Sequence, residues 1–138
     1  MLHLIIVATG ILHDDQVLSP EKSLGEICPA SFARIFEVNT SGPALVMKHF
    51  LPLLPRQEKG VFAALSARVG SIEDNRLGGW YGYRSSKAAL NQFVRTAAVE
   101  LARTHPEAMC VALHPGTVAT DLSNPFVVVG LLVGGMLP

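Results

Sequence analysis

The chain has 138 residues, 49% of them apolar and 16% charged, with a formal net charge of zero. That length can build one domain with a real core. The composition speaks against a disordered segment, and no basic patch marks a nucleic-acid reader. Cys28 and Cys110 have no metal-ligand spacing and read as two buried, reduced thiols of a cytoplasmic protein.

The first element is Leu2 to Val7, an apolar run stopped by Thr9-Gly10. It reads as a strand buried on both faces, as in a parallel sheet. The start lacks the basic and long apolar regions of a signal peptide. Ile11 to Leu24 is polar and turn-rich, a loop. Pro29 to Val38 reads as a helix, with Ser31 as N-cap or first-turn residue. A second helix covers Thr40 to Leu54, where Leu45, Val46, His49, Phe50 and Leu53 recur at helical spacing. Pro43 fits its first turn, and Pro52 and Pro55 mark its end.

Val61 to Leu65 reads as a second buried strand, and Ser66 to Gly82 as a long loop. Ser85 to Thr104 is the best-defined helix. Its apolar face carries Ala89, Leu90, Phe93, Val94, Ala97, Ala98 and Leu101. Pro106 closes the turn, Met109 to Leu113 gives a third apolar strand, and His114-Pro115-Gly116 breaks it. Apolar strands alternating with helices predict a doubly wound parallel sheet in a three-layer α/β/α arrangement. Residues 127–138 form an apolar tail without charge, too short to cross a bilayer as a helix. Its composition reads as a truncation, a frame change or a replacement edge strand.

The chemistry concentrates at Tyr83 and Lys87. A spacing of four puts both side chains on one helical face. An ammonium beside a phenol favours the phenolate and makes tyrosine usable as an acid or base. In an open parallel sheet, ligands collect outside the carboxyl ends of the strands. The loops at those ends are Val7 to Gly10, Leu65 to Ser71 and His114 to Thr120. Asn39 lies at the junction of two helical segments, where it could simply satisfy backbone groups. Pro115-Gly116 could likewise be an ordinary turn. No Gly-x-Ser-x-Gly elbow points to a serine hydrolase.

In this order the sequence resembles the short-chain dehydrogenase/reductase family, over about Leu2 to Phe126. The matching motifs are Val38-Asn39-x-x-Gly42, Tyr83-x-x-x-Lys87 and Pro115-Gly116-x-Val118-x-Thr120. The run from Gly78 to Asn91 further resembles carbonyl-reductase-like and C-factor-like members. The resemblance implies a Rossmann-like fold, with residues 1–126 its catalytic part, and an NAD(P)-dependent exchange between a small carbonyl compound and its alcohol. It implies Tyr83 as proton donor or base. Lys87 would hold the nicotinamide ribose and lower the Tyr83 pKa, and Asn39 would anchor a water in a proton relay. Thr9, Gly10, Pro115, Gly116, Val118 and Thr120 would line the cofactor.

The sequence departs from the family at two places. The usual strand ending is Ser-Ser-x-x-Gly, and here Ala67 stands where the second serine would be. Ser71, twelve residues before Tyr83, is close to the family spacing, and Ser66 is the alternative. The family's Gly-rich turn, whose amides meet the pyrophosphate, does not occur. Val7-Ala8-Thr9-Gly10 matches the family's later Asn-Asn-Ala-Gly position, so the chain aligns from the family's fourth strand. The resemblance therefore leaves three expectations: a catalytic half with impaired coenzyme binding, an assembly module that keeps the fold core, or an enzyme completed by another chain. An unpaired strand edge and the family's helical subunit contacts point to a homo-oligomer.

Overall fold

The computed structural model describes residues 1–15 and 18–116. Three strands form one parallel sheet in the order β1 (Leu4–Val7), β2 (Gly60–Leu65), β3 (Ala108–Leu113). All three fall where the apolar runs predict them. The register sets Ile5, Phe62 and Cys110 in one row, with Leu4, Val61 and Met109 in the next.

Both crossovers step across the sheet in the same direction. Right-handed connections then put both helical segments on one face. The core lies there: Ile5, Val7, Phe62, Ala64 and Cys110 meet Met47, Leu54, Leu90, Val94 and Leu101. Full burial of a side chain such as Phe62 contributes about 2–3 kcal/mol. On the opposite face of the described residues Leu4, Ile6 and Met109 are exposed by 59%, 58% and 54%, while Ala63 in the middle strand is buried. β1 is therefore covered on one face, against the expectation of two. The described residues supply the sheet and one helical layer of the α/β/α arrangement.

The first crossover is one helical rod rather than two separate helices. It runs through α1 (Pro29–Phe36), a π turn (Glu37–Ser41), α2 (Gly42–Phe50) and a 3-10 turn (Leu51–Leu53). The wide turn has a local cause. Pro43 has no N–H to offer the carbonyl of Asn39 four residues back, and the Gly42 N–H bonds the Glu37 carbonyl five residues back. Ser31 sits in the first turn of α1, and Cys28 is the N-cap.

Two expectations about burial need correction. Met47 and Pro43 are the buried residues of α2, whereas Leu45, Phe50 and Leu53 are exposed. The segment is apolar on two sides, so periodicity alone does not choose the core face. Cys110 is buried as expected, but Cys28 is exposed at the head of α1. Among the described residues, no helix is long and apolar enough to cross a membrane.

The second crossover is α3 (Tyr81–Leu101), which starts four residues before the predicted Ser85. Leu90, Val94 and Leu101 face the core as predicted, while Phe93 is exposed. A 3-10 turn at Arg68–Gly70 leans against this helix. Gly70 is the contact: a Cβ there would lie 2.8 Å from the Lys87 Cβ and 2.9 Å from the Lys87 carbonyl carbon. Helix backbone cannot yield to it. Gly70→Ala is expected to cost about 2–3 kcal/mol, read as a lower urea midpoint with an unchanged m-value.

Candidate active site

The exits of all three strands lie at one edge of the sheet, and the first two turns of α3 lie beside them. Tyr83 is buried against Leu12, Leu18 and Ile35. Lys87, one turn on, is only 3% exposed. Its Nζ lies 5.8 Å from the Tyr83 ring centroid and donates to the Leu65 carbonyl at the end of β2, 3.0 Å away. A Cβ built on Gly10 would come within 3.3 Å of that Nζ and 3.7 Å of Asn39 Oδ1. The chain leaving β1 thus passes directly over Lys87 and Asn39, and glycine makes the approach possible.

Asn39 is fully buried in the π turn. Its Oδ1 accepts the Ile11 N–H at 2.7 Å, and its Nδ2 donates to the Ile11 carbonyl at 2.8 Å. The same Nδ2 donates to Ser86 Oγ at 3.0 Å. Ser86 Oγ donates in turn to the Tyr83 carbonyl at 2.8 Å, and Thr40 Oγ1 to the Ser86 carbonyl at 2.9 Å. The Asn39 side chain thus satisfies the backbone groups of a distant segment, the chain leaving β1, rather than those of its own helix junction. Sequence reasoning missed Ser86, whose signal was its place inside the Tyr83–Lys87 turn, on the side facing the π turn.

The electrostatics are set by burial. Desolvation pushes Lys87 down to about 8 and raises the Tyr83 phenol above its ordinary value. Lys87 was expected to lower the phenol's pKa. Here desolvation outweighs the ammonium, which faces the ring rather than closing on the hydroxyl. The phenol is protonated at neutral pH and able to give a proton, while Lys87 can change charge near pH 8.

The two candidate serines lie together in a separate hollow. Ser66, Arg68, Ser71, Asn91 and His114 line a cavity of about 280 Å³ whose walls include neither Tyr83 nor Lys87. Ser66 Oγ donates to Asn91 Oδ1 at 2.6 Å, and Ser71 Oγ accepts the Asp74 N–H at 3.3 Å. Asn91 closes the Gly78–Asn91 run and His114 opens the loop after β3, though neither stood out as a site residue. Thr9 and Gly10 are exposed after β1, and Pro115 and Gly116 are exposed after β3. Gly116 has φ of 83°, a turn conformation suited to glycine. Val118 and Thr120 lie outside the described residues.

The chain is similar to known proteins. A family model described as short chain dehydrogenase matches residues 1–127. The C-signal protein of Myxococcus xanthus is 41% identical over 104 residues, which are 75% of this chain and 61% of that protein. The 1-hydroxy-2-glutathionyl-2-methyl-3-butene dehydrogenase of Rhodococcus is 34% identical over 125 residues, 91% of this chain and 50% of that one. Among solved structures, a short-chain dehydrogenase/reductase from Burkholderia multivorans with bound NADP superposes with a TM-score of 0.77 at 34% identity. That match covers 90% of this chain and 50% of the other. The chain thus spans about half to three-fifths of the length of these relatives.

Lys87 also ties the site to stability. A lysine whose folded-state pKa falls to about 8 from 10.5 penalises the fold below the lower value. Between the two values the unfolded chain binds more protons, so stability rises with pH there. Lys87→Met is therefore expected to raise the melting temperature at pH 7. Its advantage over the parent should shrink as pH climbs from about 8 to 10.5, measured by paired calorimetric scans.

Proposed function

Because the chain belongs to the short-chain dehydrogenase family, we propose that it carries the proton-transfer part of an NAD(P)-dependent oxidoreductase acting on a small carbonyl compound or its alcohol. The observation that carries this reading is the buried Tyr83–Lys87 pair, one helical turn apart beside the strand exits. Tyr83 gives its phenolic proton to the substrate oxygen as a carbonyl is reduced, and takes one back in the reverse direction. Its burial keeps the phenol protonated until substrate arrives.

The residues present fit the nicotinamide-ribose end of the coenzyme. An ammonium has three N–H donors, and Leu65 takes one of those of Lys87. The others suit ribose hydroxyls, and at Gly10, which passes over the ammonium, no side chain stands in their way. The bound nicotinamide would supply or accept the hydride. Lys87 returns the proton that Tyr83 loses, its depressed pKa making that exchange easy near neutrality. Asn39 holds the floor of this site in place and anchors a water of the relay. Ser66 or Ser71 contacts the substrate from the neighbouring hollow. Pro115, Gly116, Val118 and Thr120 line the nicotinamide side, with Thr9 at the rim.

The Gly-rich turn that would hold the pyrophosphate is not in the sequence. The 138-residue chain alone is therefore expected to bind NADPH weakly, with a Kd above about 0.1 mM by calorimetry. In a chain completed by a Gly-rich strand-turn-helix segment, Tyr83→Phe should lower turnover by about a thousandfold and leave coenzyme affinity unchanged. Turnover that persists in that variant removes Tyr83 from the mechanism.

A second reading, an assembly module, is favoured by the apolar surface. Leu45 and Phe50 on α2, Phe93 and Val99 on α3, and Leu4, Ile6 and Met109 on the sheet are exposed. Surfaces of this kind mark interaction sites, and among the described residues β1 and β3 both present strand edges. We infer a homo-oligomer. Light scattering on freshly purified protein is expected to give a mass of two chains or more, and a long-lived monodisperse monomer would refute it.

A further inference from the structure

The start of α3 is held by a residue from a distant part of the chain. Trp80 enters the helix with φ of 54°, after Gly78 and Gly79 at 67° and 66°. A left-handed tryptophan is strained, so the turn needs an outside hold. The side chain of Trp80 does not cap the helix, and the first N–H groups of any helix need acceptors.

Glu21 provides them from 61 residues before Gly82. Its carboxylate accepts the Gly82 N–H at 3.1 Å, and its backbone carbonyl accepts the Trp80 N–H. The residue is only 6% exposed, which is unusual for a glutamate and places its charge at the positive end of the helix. A Cβ on Gly82 would meet Glu21 Oε1 at 3.0 Å and Ile35 Cγ2 at 3.2 Å, so the absence of a side chain there admits the carboxylate.

Arg84 holds the other side of the same turn. Its guanidinium donates to the carbonyls of Gly79 at 2.9 Å, Gly78 at 3.1 Å and Val69 at 3.4 Å. Glu21 takes the N–H groups of Trp80 and Gly82, Asn75 Oδ1 takes that of Gly78, and Arg84 takes the carbonyls of Gly78 and Gly79. Tyr83 lies in sequence between Gly82 and Arg84.

We propose that Glu21 and Arg84 form a two-sided clamp on the Gly78–Trp80 turn, and that Glu21 is a positioning residue for Tyr83. The clamp fixes where α3 begins, and with it the rotational phase at which the Tyr83 ring meets Leu12, Leu18 and Ile35. The functional meaning rests on Tyr83 as the proton-transfer group, but the clamp can be tested without coenzyme, substrate or turnover. Its outcome is therefore independent of whether the oxidoreductase reading survives.

The test is amide hydrogen exchange by NMR on the 138-residue chain. Glu21→Ala should speed exchange at Trp80, Gly82, Tyr83 and Arg84 about tenfold, the scale of a lost helix cap, and leave Val94 and Leu101 unchanged. The Tyr83 ring should lose its nuclear Overhauser contacts to the Leu18 and Ile35 methyls. Glu21→Gln keeps an acceptor oxygen and should retain both the slow exchange and the contacts. Arg84→Met is the second variant, should Glu21→Ala not fold, and is expected to loosen the same amides. Acceleration spread evenly over α3 would mean general destabilisation and would overturn the proposal. Unchanged exchange at Gly82 in the variants would overturn it as well.

Discussion

A primary amide with no exposure to water needs partners, and the site is organised around the one at Asn39. Its Oδ1 and Nδ2 take both backbone groups of Ile11, and Nδ2 also reaches Ser86. Each bond left unmade in so buried a place would cost about 1–3 kcal/mol. Three segments far apart in sequence are therefore held in one arrangement: the exit of β1, the π turn and the first turns of α3. Ser86 carries the tie to the Tyr83 carbonyl. The phenol and the ammonium are placed by backbone that this knot fixes.

Close approach does the rest. Gly10 passes over Lys87, Gly70 lies on the backbone of α3, and Gly82 admits Glu21. At each of these places a methyl group would press on a charged side chain or a helix backbone. The first turns of α3 are thereby surrounded, which is why Tyr83 and Lys87 are both buried. Burying them holds the phenol protonated and lowers the ammonium pKa. Burying an ammonium costs stability, a cost that proton-transfer sites commonly carry.

Among the described residues the sheet is covered by helices on one side, because both crossovers run the same way across it. That geometry explains the alternation of buried and exposed residues along β1. It also accounts for apolar side chains on the outer surfaces of both the sheet and the helices. Exposed apolar surfaces of this kind commonly mark interaction sites.

The sequence by itself determined the features that depend on near neighbours. Apolar runs between breakers located all three strands, and the order of strands and helices indicated a parallel sheet. The spacing of four placed Tyr83 and Lys87 on one face, because helical periodicity is a local property. Proline chemistry at Pro43 marked the junction at Asn39, though not that the rod continues through a π turn. Only the tertiary structure decided what depends on distant partners. α2 is apolar on two sides, and its contact with Leu90 and the sheet selected Met47 for the core. Cys28 is exposed because it lies within the exposed stretch 22–30 that leads into α1. α3 starts at Tyr81 because Glu21, remote in sequence, supplies the acceptor that the local residues lack. The direction of the Tyr83 shift was decided in the same way, since desolvation arises from every element packed around a group and not from the lysine four positions along.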